Sequence, residues 1–148
     1  MFGIGENREL KDVAHKIGKI FHHQLTEAMK IQGEIFNNAD EIAFTSGYLK
    51  EYFHQMFTHY NNSDHVLEVK LFKKTCDGVI PTKLWEICNR GGELALLEEL
   101  CGEQPIKEIK QTGQAYERGR VAGVEDADET HFEGSLPSQL TKFLTGVL

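Results

Sequence analysis

Apolar residues recur at spacings of three and four from Glu6 to about Asn37. Leu10, Val13, Ala14, Ile17, Phe21, Leu25, Ala28, Ile31 and Ile35 share one helical face. Lys11, His15, Lys19, His22, Thr26 and Lys30 fall opposite, so the stretch is predicted as one long amphipathic helix. Asn37-Asn38 interrupts it, and Asp40 is suited to cap a second helix. There Ile42, Ala43, Tyr48, Leu49, Tyr52, Phe53, Met56, Phe57 and Tyr60 make a wide apolar face. Asn61-Asn62-Ser63-Asp64 predicts a chain reversal, because these short polar side chains compete for backbone hydrogen bonds.

Residues 65–75 combine partial alternation with helical spacing and are assigned to a helix, ended by Asp77-Gly78. Pro81 suits a first helical turn, and Leu84, Trp85, Ile87 and Cys88 predict a short helix stopped by Gly91-Gly92. Another short helix is expected through Leu94, Leu97 and Leu100 to Gly102. Pro105 then opens a longer helix that should reach about Ala127. After Ser135-Leu136-Pro137, the residues Leu136, Leu140, Phe143, Leu144 and Val147 predict a short amphipathic helix packed on the body. The pattern predicts an all-α fold, a single-domain bundle of about five to seven helices over residues 1–148, with a long N-terminal antiparallel helical hairpin.

Length agrees with one domain, since 148 residues can bury one sizeable core. With 16 basic and 23 acidic side chains the net charge is −7, which disfavours a nucleic-acid binder, whose work needs clustered Lys and Arg. The polar start Glu6-Asn7-Arg8 and the lack of a long apolar run disfavour a secretory leader and a membrane span. Cys76, Cys88 and Cys101 are odd in number and widely separated. They fit reduced thiols in a cytoplasmic protein better than a disulfide or zinc framework, with Cys88 and Cys101 as small buried hydrophobes.

Charge changes the picture most through its location. Residues 92–133 hold eleven acids against Lys107, Lys110, Arg118 and Arg120, so this segment carries the whole net charge. Glu125, Asp126, Asp128, Glu129 and Glu133 crowd near the expected end of a helix, where the macrodipole disfavours negative charge. An EF-hand would need Gly where His131 stands and Glu where Pro137 stands, so Asp126-x-Asp128-x-Thr130 is not a calcium loop. The aromatic run Phe44, Tyr48, Tyr52, Phe53, Phe57 and Tyr60 reads as core packing, with a binding edge at the tyrosines as the alternative.

Three further patterns bear on function. Glu51-x-x-His54, with His23 and Glu27 on the first helix, has the spacing of a carboxylate-bridged metal site, but Glu51 and His54 fall on a polar face. His15, His22 and His23 read as exposed polar residues. Ala115, Gly119, Gly123 and Ala127 lie four apart, a strip that lets another backbone approach closely, within the chain or across a homodimer seam. Walker, nucleophile-elbow, H-E-x-x-H and dinucleotide-binding motifs are lacking, so no catalytic residue, resident metal or cofactor is assigned. The leading expectation is a non-enzymatic module that presents an acidic surface to a basic protein partner, as an inhibitor, immunity-type protein, antitoxin or adaptor would. Glu117, Glu125, Asp126, Asp128, Glu129, Glu133, Tyr48 and Tyr52 are its expected contact residues. The alternatives are a metal-dependent helical enzyme or sensor and a self-associating structural protein.

Overall fold

The computed structural model describes residues 4–35, 39–58, 65–76, 106–133 and 136–147. These form α1 (Ile4–Gln32), α2 (Ala39–Thr58), α3 (His65–Cys76), α4 (Ile106–Glu133) and α5 (Gln139–Leu144), with no strand among the described residues. The all-α expectation holds, including the helix assigned to residues 65–75. The two short helices expected between Pro81 and Gly102, and the thiols Cys88 and Cys101, lie outside the described residues. No described helix is long and apolar enough to cross a membrane.

The α1 stripe buries Leu10, Ala14, Ile17, Phe21, Leu25 and Ala28, the positions that the three-and-four spacing selects. Two details differ from the sequence reading. Helix α1 stops at Gln32 rather than near Asn37, because Gly33 adopts φ 81° and its N–H donates to the Met29 carbonyl at 2.8 Å. A left-handed glycine closes the last turn at little steric cost. Beyond the buried stripe Ile31 is 65% exposed.

Helix α2 is the central element, and every residue from Ala43 to Leu49 is buried. A helix enclosed on most sides needs apolar or satisfied side chains all round. Phe21 of α1 meets Tyr52 edge-on at 5.6 Å, and Gln24, one turn later, reaches back to the Tyr48 hydroxyl. These two contacts run in opposite chain directions along α1 and α2. Phe53 packs on Phe72 of α3 at 5.2 Å.

The third neighbour, α4, comes closest of all. Phe44 lies against Gly119, Tyr48 against Gly123 and Asp126, and Tyr52 against Thr130, so α2 and α4 run parallel. A methyl group at Gly47 would collide with the Tyr116 carbonyl oxygen, and one at Gly119 with that of Phe44. At Gly123 the clash would be with the Tyr48 carbonyl oxygen at 2.7 Å. Such an approach offsets the helix propensity that glycine forfeits, about 1 kcal/mol each. The strip of Ala115, Gly119, Gly123 and Ala127 is thus buried inside the chain. It is not a seam for a second copy.

Helix α4 also runs to Glu133, past the expected end near Ala127. Its acidic residues 125–129 therefore sit on a continuing helix. Helix α5 packs with Leu140 and Leu144 buried and stacks Phe143 on Phe44 at 3.8 Å. Leu136 and Val147, expected to pack with them, are 78% and 73% exposed.

Candidate functional site

The acidic residues of α4 divide by helical phase. Asp126 follows Gly119 by seven positions and Gly123 by three, which puts it on the face turned toward α2. It is buried. Its Oδ2 accepts a hydrogen bond from the Tyr48 hydroxyl at 2.6 Å and from the Gln139 backbone N–H at 3.1 Å, and its Oδ1 accepts from Gln139 Nε2 at 3.0 Å. Gln24, also buried, donates to the Tyr48 oxygen at 2.9 Å while its Oε1 accepts from Leu140 N–H and Thr141 N–H at 3.1 and 3.3 Å.

The start of α5 explains this arrangement. The first N–H groups of a helix have no partner within it. Ser138 supplies no side-chain cap, so Asp126 from α4 and Gln24 from α1 receive these donors instead. Tyr48 joins the two acceptors, and each buried polar atom of the relay is satisfied, which avoids the penalty of about 1–3 kcal/mol for a buried group left unpaired. Desolvation first, and then the neighbouring Asp126 charge, push the Tyr48 hydroxyl well above its ordinary range. Tyr52 is raised to about 12, chiefly by burial and further by Asp126, against the opposing hydrogen bond from its hydroxyl to Thr130 Oγ1. Three of the expected contact residues, Asp126, Tyr48 and Tyr52, are therefore interior groups and form no part of an outer surface.

The outward acids are Glu117, Glu125, Asp128 and Glu129; the Glu133 side chain lies outside the described residues. Glu117 is engaged, since Arg120 donates to it at 3.0 Å and to Glu51 of α2 at 3.0 Å. Glu125 accepts a bond from Gln139 Nε2 at 3.2 Å and keeps its exposure. Among the described residues no cation pairs with Glu125, Asp128 or Glu129.

A groove of about 560 Å³ runs beside these acids. The half-exposed Val121, Glu117 and Glu125 line it, over the buried Phe44 and Ala122. Arg118 also lines it, with its guanidinium 5.5 Å from the Phe143 ring. Val121 sits four residues from both Glu117 and Glu125, so one helical stripe alternates charge with an apolar contact.

The alternative metal set is not brought together. Glu51 turns to Arg120 on α4, whereas His54 pairs through Nδ1 with Glu68 of α3 at 2.7 Å. His23 and Glu27 line a different groove, between α1 and α3. Among the described residues no group of three or more His, Cys, Asp and Glu could hold a metal ion.

Sequence reasoning missed Gln24, a polar residue inside an apolar stripe, and Gly47, which meets the α4 strip from the other side. Both carried a signal. Gln24 falls at the Phe21 plus three position, and Gly47 lies four residues after Ala43 on a helix already rich in large aromatics. Comparison with protein-family models, with curated proteins and with solved structures gives no match for this chain.

Proposed function

We propose that the chain is a non-enzymatic protein-binding module whose α4 outer face docks a basic segment of a partner protein. The observation that carries this reading is the stripe Glu117, Val121, Glu125 lining a groove on α4, continued by Asp128 and Glu129, which pair with no cation among the described residues. A partner segment that laid an apolar side chain against the half-exposed Val121 would place its flanking Lys or Arg beside Glu125 and Asp128. The apolar contact would contribute buried area, while the charges would speed encounter and reject acidic competitors.

The test is a triple variant, Glu125→Lys with Asp128→Lys and Glu129→Lys, which leaves the buried Asp126 in place. All three positions are exposed and lysine is a good helix former, so the variant should fold. With the partner recovered by affinity capture and identified, its association rate with the native chain should fall as salt rises. The variant should associate about tenfold more slowly and lose most of the salt dependence. An unchanged rate and salt dependence would exclude this face as the docking surface.

A further inference from the structure

The second large concavity of the molecule has the opposite sign. A groove of about 700 Å³ opens between α1 and α3, a size within the usual range of small-molecule sites. Its rim carries Lys11, Lys19 and Lys30 from α1 and Lys74 from α3, interleaved with His15, His22 and His23. Glu27 is the single acid among the described lining residues, and it is already bonded to Lys30 at 3.2 Å. In a chain of net charge −7 this is a concentrated positive field.

Lys11, His15, Lys19 and His23 follow one another at four-residue intervals on α1 and so share one helical face. The floor is shallow in side chains, with Ala14, Gly18 and Leu71. Gly18 differs from the glycines of the α2–α4 contact: a methyl there would reach only ordinary contact, 3.4 Å from the Thr75 methyl carbon. Among the described residues packing does not require glycine at this place, yet the helix forfeits about 1 kcal/mol to keep it. The absence of a side chain keeps the groove open beneath the cationic rim.

We propose that this groove binds a small polyphosphate group, as a free oligophosphate or as the phosphate end of a nucleotide. Lys11 and Lys19 lie about 12 Å apart along the α1 axis and Lys74 joins them from α3, so a chain of phosphates engages several of these charges at once where a single anion meets one. Lysine serves as a point-charge phosphate ligand. An extended nucleic acid would leave the groove and meet the acidic remainder of the chain, which repels it.

Titration calorimetry on the full chain tests the site with three probes: inorganic tripolyphosphate, adenosine diphosphate and a single-stranded DNA oligonucleotide. Saturable 1:1 binding of one of the first two is expected; tighter binding of the nucleotide identifies it as the source, and tighter binding of tripolyphosphate identifies the free oligophosphate. Lys19→Glu and Lys74→Glu should each weaken binding about tenfold or more, while Lys16→Glu, an exposed lysine of α1 off the groove, should change it by less than about twofold. All three substitutions lie at exposed positions, and helical circular dichroism checks their folding. The proposal is overturned by no saturable binding below about 1 mM, by an equal loss in Lys16→Glu, or by tighter binding of the oligonucleotide.

Discussion

The hydroxyl of Tyr48 lies 2.6 Å from Oδ2 of Asp126, across 78 residues of chain, and both side chains are buried. This bond ties α2 to α4 at the point where Asp126 also caps α5. Removing the hydroxyl with Tyr48→Phe leaves Asp126 short of one donor and Gln24 Nε2 without its acceptor. A loss of about 1–3 kcal/mol is expected in urea unfolding.

The same pair sets an alkaline limit on stability. Tyr48 and Tyr52 have folded pKa values above the ordinary 10 of an unfolded chain, Tyr52 at about 12. Their contribution is complete below pH 10, where both states hold the proton. Above pH 10 the unfolded state releases protons that the folded state keeps, so stability falls by about 1.4 kcal/mol per pH unit for each tyrosine until the folded value is passed. An absorbance titration of phenolate should show these two tyrosines ionising only together with loss of helical circular dichroism. Their titration near pH 10 in a folded chain would contradict their enclosure.

Glycine replacements should separate contact from conformation. Gly119→Ala places a methyl on the Phe44 backbone and Gly47→Ala places one on the Tyr116 carbonyl. Because backbone rather than a flexible side chain must move, each should cost about 2–3 kcal/mol or more. Gly33→Ala meets nothing within 4 Å but must hold φ 81°, and the expected loss is about 1 kcal/mol. Thermal melts of the three variants give the order directly.

Thr45 offers a gain. Its Oγ1 is the one buried side-chain polar atom without a hydrogen-bond partner among the described residues. Thr45→Val keeps the branched shape and removes the unpaired hydroxyl, so stability should hold or rise by about 1 kcal/mol in chemical denaturation.

The helices were legible because their apolar spacing is local. Leu10, Ala14, Ile17, Phe21 and Leu25 announce their own buried face whatever they pack against. The strip on α4 was legible as a close contact, but its partner, Gly47 of α2, was not, because the pairing joins residues about 70 positions apart. The acidic cluster shows the same limit. Counting charge groups Asp126 with Glu125, Asp128 and Glu129, whereas helical phase separates it from them and aligns it with Gly119 and Gly123. The extension of α4 beyond Ala127 hid this further. Once residues 125–130 continue the helix, Asp126 must face α2, and Thr130 closes the next turn by donating to the Asp126 carbonyl at 2.7 Å.

The division of the α4 acids into one inward and several outward groups underlies both the fold and the proposed docking face. Equilibrium unfolding of a matched pair tests it, with the same chemical change made two residues apart. Asp126→Ala should cost about 2–4 kcal/mol, since Tyr48 and the first turn of α5 lose their acceptor. Asp128→Ala should leave stability unchanged or raise it by about 0.5 kcal/mol, because the position is exposed and alanine is the better helix former. Equal losses at the two positions, or a larger loss at Asp128, would contradict the account.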